Sequence, residues 1–283
     1  QHDQPAVSTG AVFLPPGPAP EGGFPVIAWA HGTVGLGDDC TPSALPRSPR
    51  DDEYLSHWLN QGYAVVASDY AGLGTPGLMS YLNSVTTAHG VVDSVIAAHD
   101  MGLPLSPEWA IVGQSQGGGA AVASARWATE FSAGTGLDYR GVVATGTPAN
   151  IDNFVRQAGP ALQLPELGPV ANAYTAYILA AFREARPDLD INSVLTPEGL
   201  AAAERAETVC VRPLTDELSS YRPPDDLDRS LDLDDVIRRR RVGLLGEELA
   251  VLLDLVEEDV LGVVGRTDGD AGLEVFVGVG SDR

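Results

Sequence analysis

Lysine is absent from all 283 residues, so the 17 basic residues are all arginine. The bland reading of that absence is coding bias in a GC-rich genome. Acidic residues number 39 and the formal net charge is −22. A surface of that sign repels a phosphate backbone, which argues against a nucleic-acid partner. It also opposes docking on anionic membranes and leaves a neutral ester substrate open. No apolar run approaches the roughly 20 residues that a membrane-spanning helix needs. Cysteine is scarce: Cys40 and Cys210 are the only two. That pair fits one disulfide in an exported protein, or two buried thiols in a cytosolic one. Histidine is both scarce and unevenly placed. The five are His2, His31, His57, His89 and His99, and none follows. The chain opens at Gln1 with no apolar leader, which fits a processed secretory protein and a fragment equally.

What is present reads as an alternating α/β chain. The apolar share is 44%, a globular proportion. Ala11 to Leu14 reads as a short strand, followed by a Pro/Gly-rich turn. Phe24 to Ala30 is a compact apolar run that ends at His31-Gly32, the pattern of a buried parallel strand meeting a loop. Tyr54, Leu55, Trp58 and Leu59 share one face of a helix over Asp51 to Gln61. Tyr63 to Ser68 reads as a second buried strand, Val85 to Met101 as a helix and Trp109 to Gly113 as a third buried strand. A helix over Gly117 to Thr129 and a strand over Gly141 to Thr145 follow. Strands and helices at this spacing predict a mostly parallel central sheet flanked by crossover helices, an α/β fold spanning residues 1–149. Residues 150–221 read as a helical lid or cap insertion. There Val170, Ala173, Tyr174, Tyr177, Ile178, Ala181 and Phe182 follow helix spacing, and Thr196-Pro197 suggests a cap with a first-turn proline.

Two segments carry chemistry. Gly113-Gln114-Ser115-Gln116-Gly117 is a G-x-S-x-G pentapeptide between a strand and a helix, as a nucleophile elbow of an α/β-hydrolase requires. The pentapeptide alone is weak; its strand-to-helix context gives it force. The glycines allow a tight turn that exposes the Ser115 hydroxyl at the sheet's carboxyl end, near a helix N-terminus. His31-Gly32-Thr33 ends the first buried strand, where this fold supplies a second oxyanion donor. The Thr33 and Gln116 N–H groups are therefore the candidate oxyanion hole, and the His31 ring reads as a buried structural group. Acyl transfer on such a site needs no cofactor and no metal.

Three stretches together resemble the secretory lipase family of fungi and bacteria: Pro25 to Gly35 (PVIAWAHGTVG), Tyr63 to Gly77 (YAVVASDYAGLGTPG) and Ala110 to Ala120 (AIVGQSQGGGA). Leu195 to Leu200 (LTPEGL) is similar as well, and the resemblance covers roughly residues 5 to 220. It implies an α/β-hydrolase core, a helical lid over an acyl pocket and secretion. It further implies hydrolysis of lipid esters such as triacylglycerols, with transient contact at a lipid interface. A disulfide from Cys40, to Cys210, is implied too. Asp69, in the matching "SDY" segment, reads as structural. A short-chain esterase or acyltransferase on the same fold, or a non-catalytic relic that binds ligands, remains an alternative.

The general base is the missing part. In α/β-hydrolases the acid and then the histidine follow the serine along the chain. Here all five histidines precede Ser115. Val260 to Val264 reads as a strand followed by Gly265-Arg266-Thr267-Asp268, which makes Asp268 a candidate acid with Asp270 behind it. A solvated acidic loop explains the same residues. Residues 222–283 are also atypical in composition. They contain no His, Tyr, Trp, Cys, Met, Asn, Gln or Lys, and Phe276 is their only aromatic. Such an alphabet is what GC-rich DNA gives when read out of frame, and a divergent tail on a pseudo-enzyme is the competing explanation. Translating the coding DNA downstream of Tyr221 in the other two frames separates the two. A frame error predicts a strand-Gly-x-x-Asp segment and then a His-Gly pair in one of them; their absence from both rejects it.

Overall fold

A computed structural model describes residues 5–149 and 168–220, apart from 189 and 196. Five strands form one sheet: β1 (Gly10–Phe13), β2 (Phe24–Ala30), β3 (Ala64–Ser68), β4 (Leu105–Gln114) and β5 (Asp138–Thr145). Their order across the sheet is β1-β3-β2-β4-β5. Only β1 runs antiparallel to its neighbour; β3, β2, β4 and β5 are mutually parallel. The helices α1 (Pro49–Asn60), α2 (Ser84–Asp100) and α3 (Gln116–Phe131) are the crossovers. The α/β class expected from the alternation is the class observed.

Side-chain alternation along the central strands separates two apolar layers. Val26, Ala28 and Ala30 of β2 join Ala64 and Val66 of β3 and Ile111 of β4 on one face, with Val91, Val92 and Val95 of α2 and Ala120, Ala121 and Ala128 of α3. Ile27 and Trp29 of β2, Val65 and Ala67 of β3 and Val112 of β4 face the other way, onto Leu55, Tyr54 and Trp58 of α1. A strand buried on both faces must be apolar at every position, which is why β2 and β3 read as continuous hydrophobic runs. The helix starts are local: Ser48 Oγ accepts from Asp51 N at 3.2 Å ahead of Pro49, and Asn83 Oδ1 accepts from Thr86 N at 2.9 Å.

Two element bounds differ from the sequence pattern by more than two residues. β4 starts at Leu105 and β5 at Asp138, upstream of the apolar runs at Trp109 and Gly141. Among the added residues Pro107, Glu108, Asp138 and Arg140 are exposed and polar or breaking, which interrupts any strand periodicity. Pairing defines them instead, Glu108 with Asp138 and Trp109 with Tyr139.

After β5 the described chain is helical: α4 (Pro169–Ala185), α5 (Pro197–Ala206) and α6 (Val211–Glu217), with a 3₁₀ turn over Ile191–Val194. The buried stripe of α4 is Ala173, Ala176, Tyr177 and Ala180, while Val170 is half exposed. That stripe sits one step round the helix from the large-residue pattern, because small alanines permit a closer approach to the core. Pro197 occupies the first turn of α5; its expected cap Thr196, like Asp268 and Asp270, lies outside the described residues.

Cys40 and Cys210 form a disulfide that joins chain positions 170 residues apart. Beside it Val211 N donates to Val34 O at 2.8 Å, and Gly35 pairs with Cys210 in an isolated antiparallel bridge. Restricting so long a loop in the unfolded chain stabilises the fold by about 5 kcal/mol in the chain-entropy model. Denaturant unfolding of the oxidised protein and of a Cys40→Ser/Cys210→Ser variant should show the variant's midpoint falling steeply. Equal midpoints would mean that the bridge contributes nothing to stability.

Candidate active site

Strand register fixes which loops meet. Ala30 of β2 pairs with Ser68 of β3 on one side and with Gly113 of β4 on the other, and Gly113 pairs with Ala144 of β5. His31, Asp69 and Gln114 therefore leave the sheet side by side at its carboxyl edge. The chain crosses from β3 over β2 to reach β4, so β2 and β4 flank a topological switch point, where open α/β sheets hold ligands.

Ser115 stands between β4 and α3 with φ 57° and ψ −123°. A non-glycine residue with positive φ is strained by its Cβ, and surrounding contacts must hold it there. Ser115 N donates to Thr145 O at 2.9 Å, and Ser115 O accepts from Gly119 N at 3.1 Å. The flanking glycines make the turn possible sterically. A Cβ on Gly117 would fall within bonding distance of Ala30 O, and one on Gly113 would strike Gly117 O. The hydroxyl of Ser115 makes no cap hydrogen bond to α3.

The β2 exit loop lies against this turn. A Cβ built on Gly32 would sit 3.6 Å from Ser115 Cβ. Within the loop, Tyr70 Oη donates to His31 O at 3.0 Å, His31 Nδ1 lies 2.7 Å from Gly32 O, and the Thr33 and Tyr81 hydroxyls are 2.7 Å apart. Among the described residues, neither the Thr33 N–H nor the Gln116 N–H has a protein acceptor. Gln116 is buried, and its Nε2 faces Met79 Sδ at 4.0 Å. Gln114 Oε1 is buried without a partner beside the same loop. Tyr81 and Met79 carry no motif, and only their contacts reveal them.

None of the described histidines serves Ser115. His31 is buried and stacked on Tyr70 at 4.3 Å between ring centroids; its Nε2 lies 3.4 Å from Asp69 O. His57 packs edge-on to Trp58, and His89 stacks on Phe131 at 3.8 Å. His99 bonds the Val95 and Ser106 carbonyls. His2 lies outside the described residues. Asp69 is a buried tie: it accepts from Thr9 Oγ1 at 2.8 Å, Ser43 N at 2.9 Å and Ser43 Oγ at 2.5 Å. That is the structural part its sequence position suggests.

Burial pushes the His31 imidazole below its ordinary pKa of 6.5, and the neighbouring carbonyls only partly oppose the shift. The shorter Gly32 contact selects the neutral Nδ1–H tautomer. The unfolded chain binds a proton at this residue more readily than the folded one. The resulting stability is present above pH 6.5 and declines as pH falls from there towards the lowered folded value. A long-range ¹H–¹⁵N spectrum at pH 6 should show His31 neutral. An imidazolium signal would contradict the burial argument.

The fold has solved counterparts. A Legionella pneumophila protein described only in general terms as a hydrolase matches with a TM-score of 0.65 and 22% identity, over 84% of this chain and 64% of that one. Candida antarctica lipase A in its closed state matches with a TM-score of 0.60 and 18% identity, over 83% and 54%. The rice cell wall degrading esterase LipA from Xanthomonas oryzae matches with 0.58 and 20%, over 81% and 66%. The chain thus spans under two thirds of each, and at these identities the likeness speaks to fold alone. No curated protein sequence matches. The family model described as secretory lipase matches residues 49–221, more than half the sequence, and so the chain belongs to the secretory lipase family.

Proposed function

We propose that the protein is a carboxylic ester hydrolase, of the triacylglycerol lipase kind, that acts through an acyl-enzyme on Ser115. The observation that carries this reading is the strained Ser115 turn set against a loop whose Thr33 N–H is unused. The Ser115 oxygen bonds the ester carbonyl carbon, and the negative charge that develops on the carbonyl oxygen is held by the Thr33 and Gln116 N–H groups. The alcohol leaves with the proton that came from the serine, and water then releases the acid and restores the hydroxyl. Family membership and the fold support the ester-hydrolase class. The apolar-faced helices after β5 support a lid over an acyl site, and the disulfide supports export. Among the described residues no helix is long and apolar enough to cross a membrane.

The second reading is a hydrolase relic that binds esters without turning them over, and the histidine distribution favours it. Removing the histidine of a serine protease costs on the order of a million-fold in turnover, while oxyanion binding retains roughly a thousand-fold over water. On this reading the site binds esters and hydrolyses them slowly at best.

A fluorophosphonate probe tests the nucleophile. Labelling at Ser115 that disappears in Ser115→Ala is expected; folded protein that stays unlabelled supports the relic instead. A p-nitrophenyl ester series tests the substrate class. Preference for long acyl chains is expected, and preference for acetate would place the protein with the short-chain esterases.

A further inference from the structure

The loop that offers the Thr33 N–H is held at every other point along its length. The His31 carbonyl accepts from Tyr70, the Gly32 carbonyl from His31 Nδ1, and the Val34 carbonyl from Val211. Gly35 forms an isolated antiparallel bridge with Cys210 of the disulfide. Gly32 C=O and Thr33 N–H belong to one planar peptide unit, so whatever fixes the carbonyl also fixes the direction of the N–H. His31 fixes one end of that unit. At the other end the Thr33 side chain meets the Tyr81 hydroxyl at 2.7 Å.

Tyr81 is itself anchored. Its ring lies against Tyr177 at 5.9 Å between centroids, and Tyr177 Oη donates to Val209 O at 2.8 Å. Val209 directly precedes the disulfide cysteine. Burial holds the Tyr81 hydroxyl up to about 12, so it keeps its proton at neutral pH. The tyrosine stems from the loop ahead of α2, and no feature of the serine motif leads to it.

We propose that Tyr81 is a positioning residue: through the Thr33 hydroxyl it holds the Gly32–Thr33 peptide so that the Thr33 N–H faces the oxyanion formed at Ser115, while His31 fixes the same peptide from its carbonyl side. The inference rests on the reading of Ser115 as nucleophile. Its consequence is kinetic. Deleting a whole oxyanion donor costs about 10² to 10³ in rate, so loosening one should cost less, about ten-fold. Binding of the ground state should be unaffected, because the oxyanion exists only along the reaction path.

Saturation kinetics of phosphonylation by an alkyl fluorophosphonate measure this without needing a histidine-dependent deacylation step. In that reaction the serine oxygen bonds phosphorus and gives up its proton to water, the P–F bond breaks and fluoride departs, and the phosphoryl oxygen takes the oxyanion position. Tyr81→Phe keeps the ring packing and removes only the hydroxyl. Its limiting labelling rate should fall about ten-fold while the half-saturating probe concentration and the melting temperature stay those of the unaltered protein. Thr33→Val, which keeps the N–H, should show the same loss, and the double variant no more than either alone. Full-rate labelling of Tyr81→Phe, or losses that multiply in the double variant, would overturn the proposal. A rise in half-saturating concentration at unchanged limiting rate would also overturn it, by making Tyr81 a binding residue. Unaltered protein that takes no label defeats the Ser115 reading itself and this inference with it.

Discussion

The contact between the serine turn and the end of β2 is the constraint on which the site depends. Gly117 packs directly on the Ala30 carbonyl, with no room for even a methyl group between them. That approach sets the height of α3 above the sheet, and with it the height of Ser115. It also sets the distance from Ser115 to Gly32, because Ala30 and Gly113 are paired neighbours. A larger residue at Gly113 or Gly117 would lift the helix and carry the serine away from the loop. The strain at Ser115 persists because the bond from its N–H to Thr145 and the close glycine packing leave the backbone no relaxed alternative.

Much of this was legible in the sequence, for a physical reason. Central parallel strands are buried on both sides, so β2 and β3 had to be apolar throughout, and apolar runs bounded by Gly turns are easily seen. The serine elbow was legible because tight steric demands leave glycine as the residue that fits. The illegible parts are those defined by pairing or by contact. The opening stretches of β4 and β5 are interrupted by Pro107, Glu108, Asp138 and Arg140 and are defined by their pairing. The buried stripe of α4 runs along alanines, and a pattern of large apolar residues points slightly off it. Tyr81 and Met79 touch the site from a loop whose composition says only that it turns.

His31 illustrates how the same residue type serves opposite ends. A catalytic base needs a pKa near the working pH and a free nitrogen aimed at the nucleophile. His31 has neither: burial drives its pKa down, and its nitrogens face the Gly32 and Asp69 carbonyls. Those properties suit a fixed donor. A neutral imidazole held at one tautomer by a 2.7 Å contact is a stiff strut for a peptide plane. Proximity to the serine turn is therefore no argument for His31 as a base.

The proposed nucleophile and the proposed oxyanion donor are held by different devices. Ser115 is held by backbone packing of the β4–α3 turn against its sheet neighbours, Thr145 of β5 and Ala30 of β2. The loop around Thr33 is held by residues scattered over the chain: His31 at the Gly32 carbonyl, Tyr81 at the Thr33 hydroxyl, Val211 at the Val34 carbonyl. An elbow encoded in five residues survives as long as α3 and the central strands β2, β4 and β5 survive. A donor loop tied across 170 residues by Cys40–Cys210 depends on the helical segment after β5 as well. Damage to that segment would therefore reach the donor loop before it reached the serine. On this basis the Cys40–Cys210 disulfide does more than stabilise: it fastens the outer rim of the candidate site to the sheet that carries the inner one.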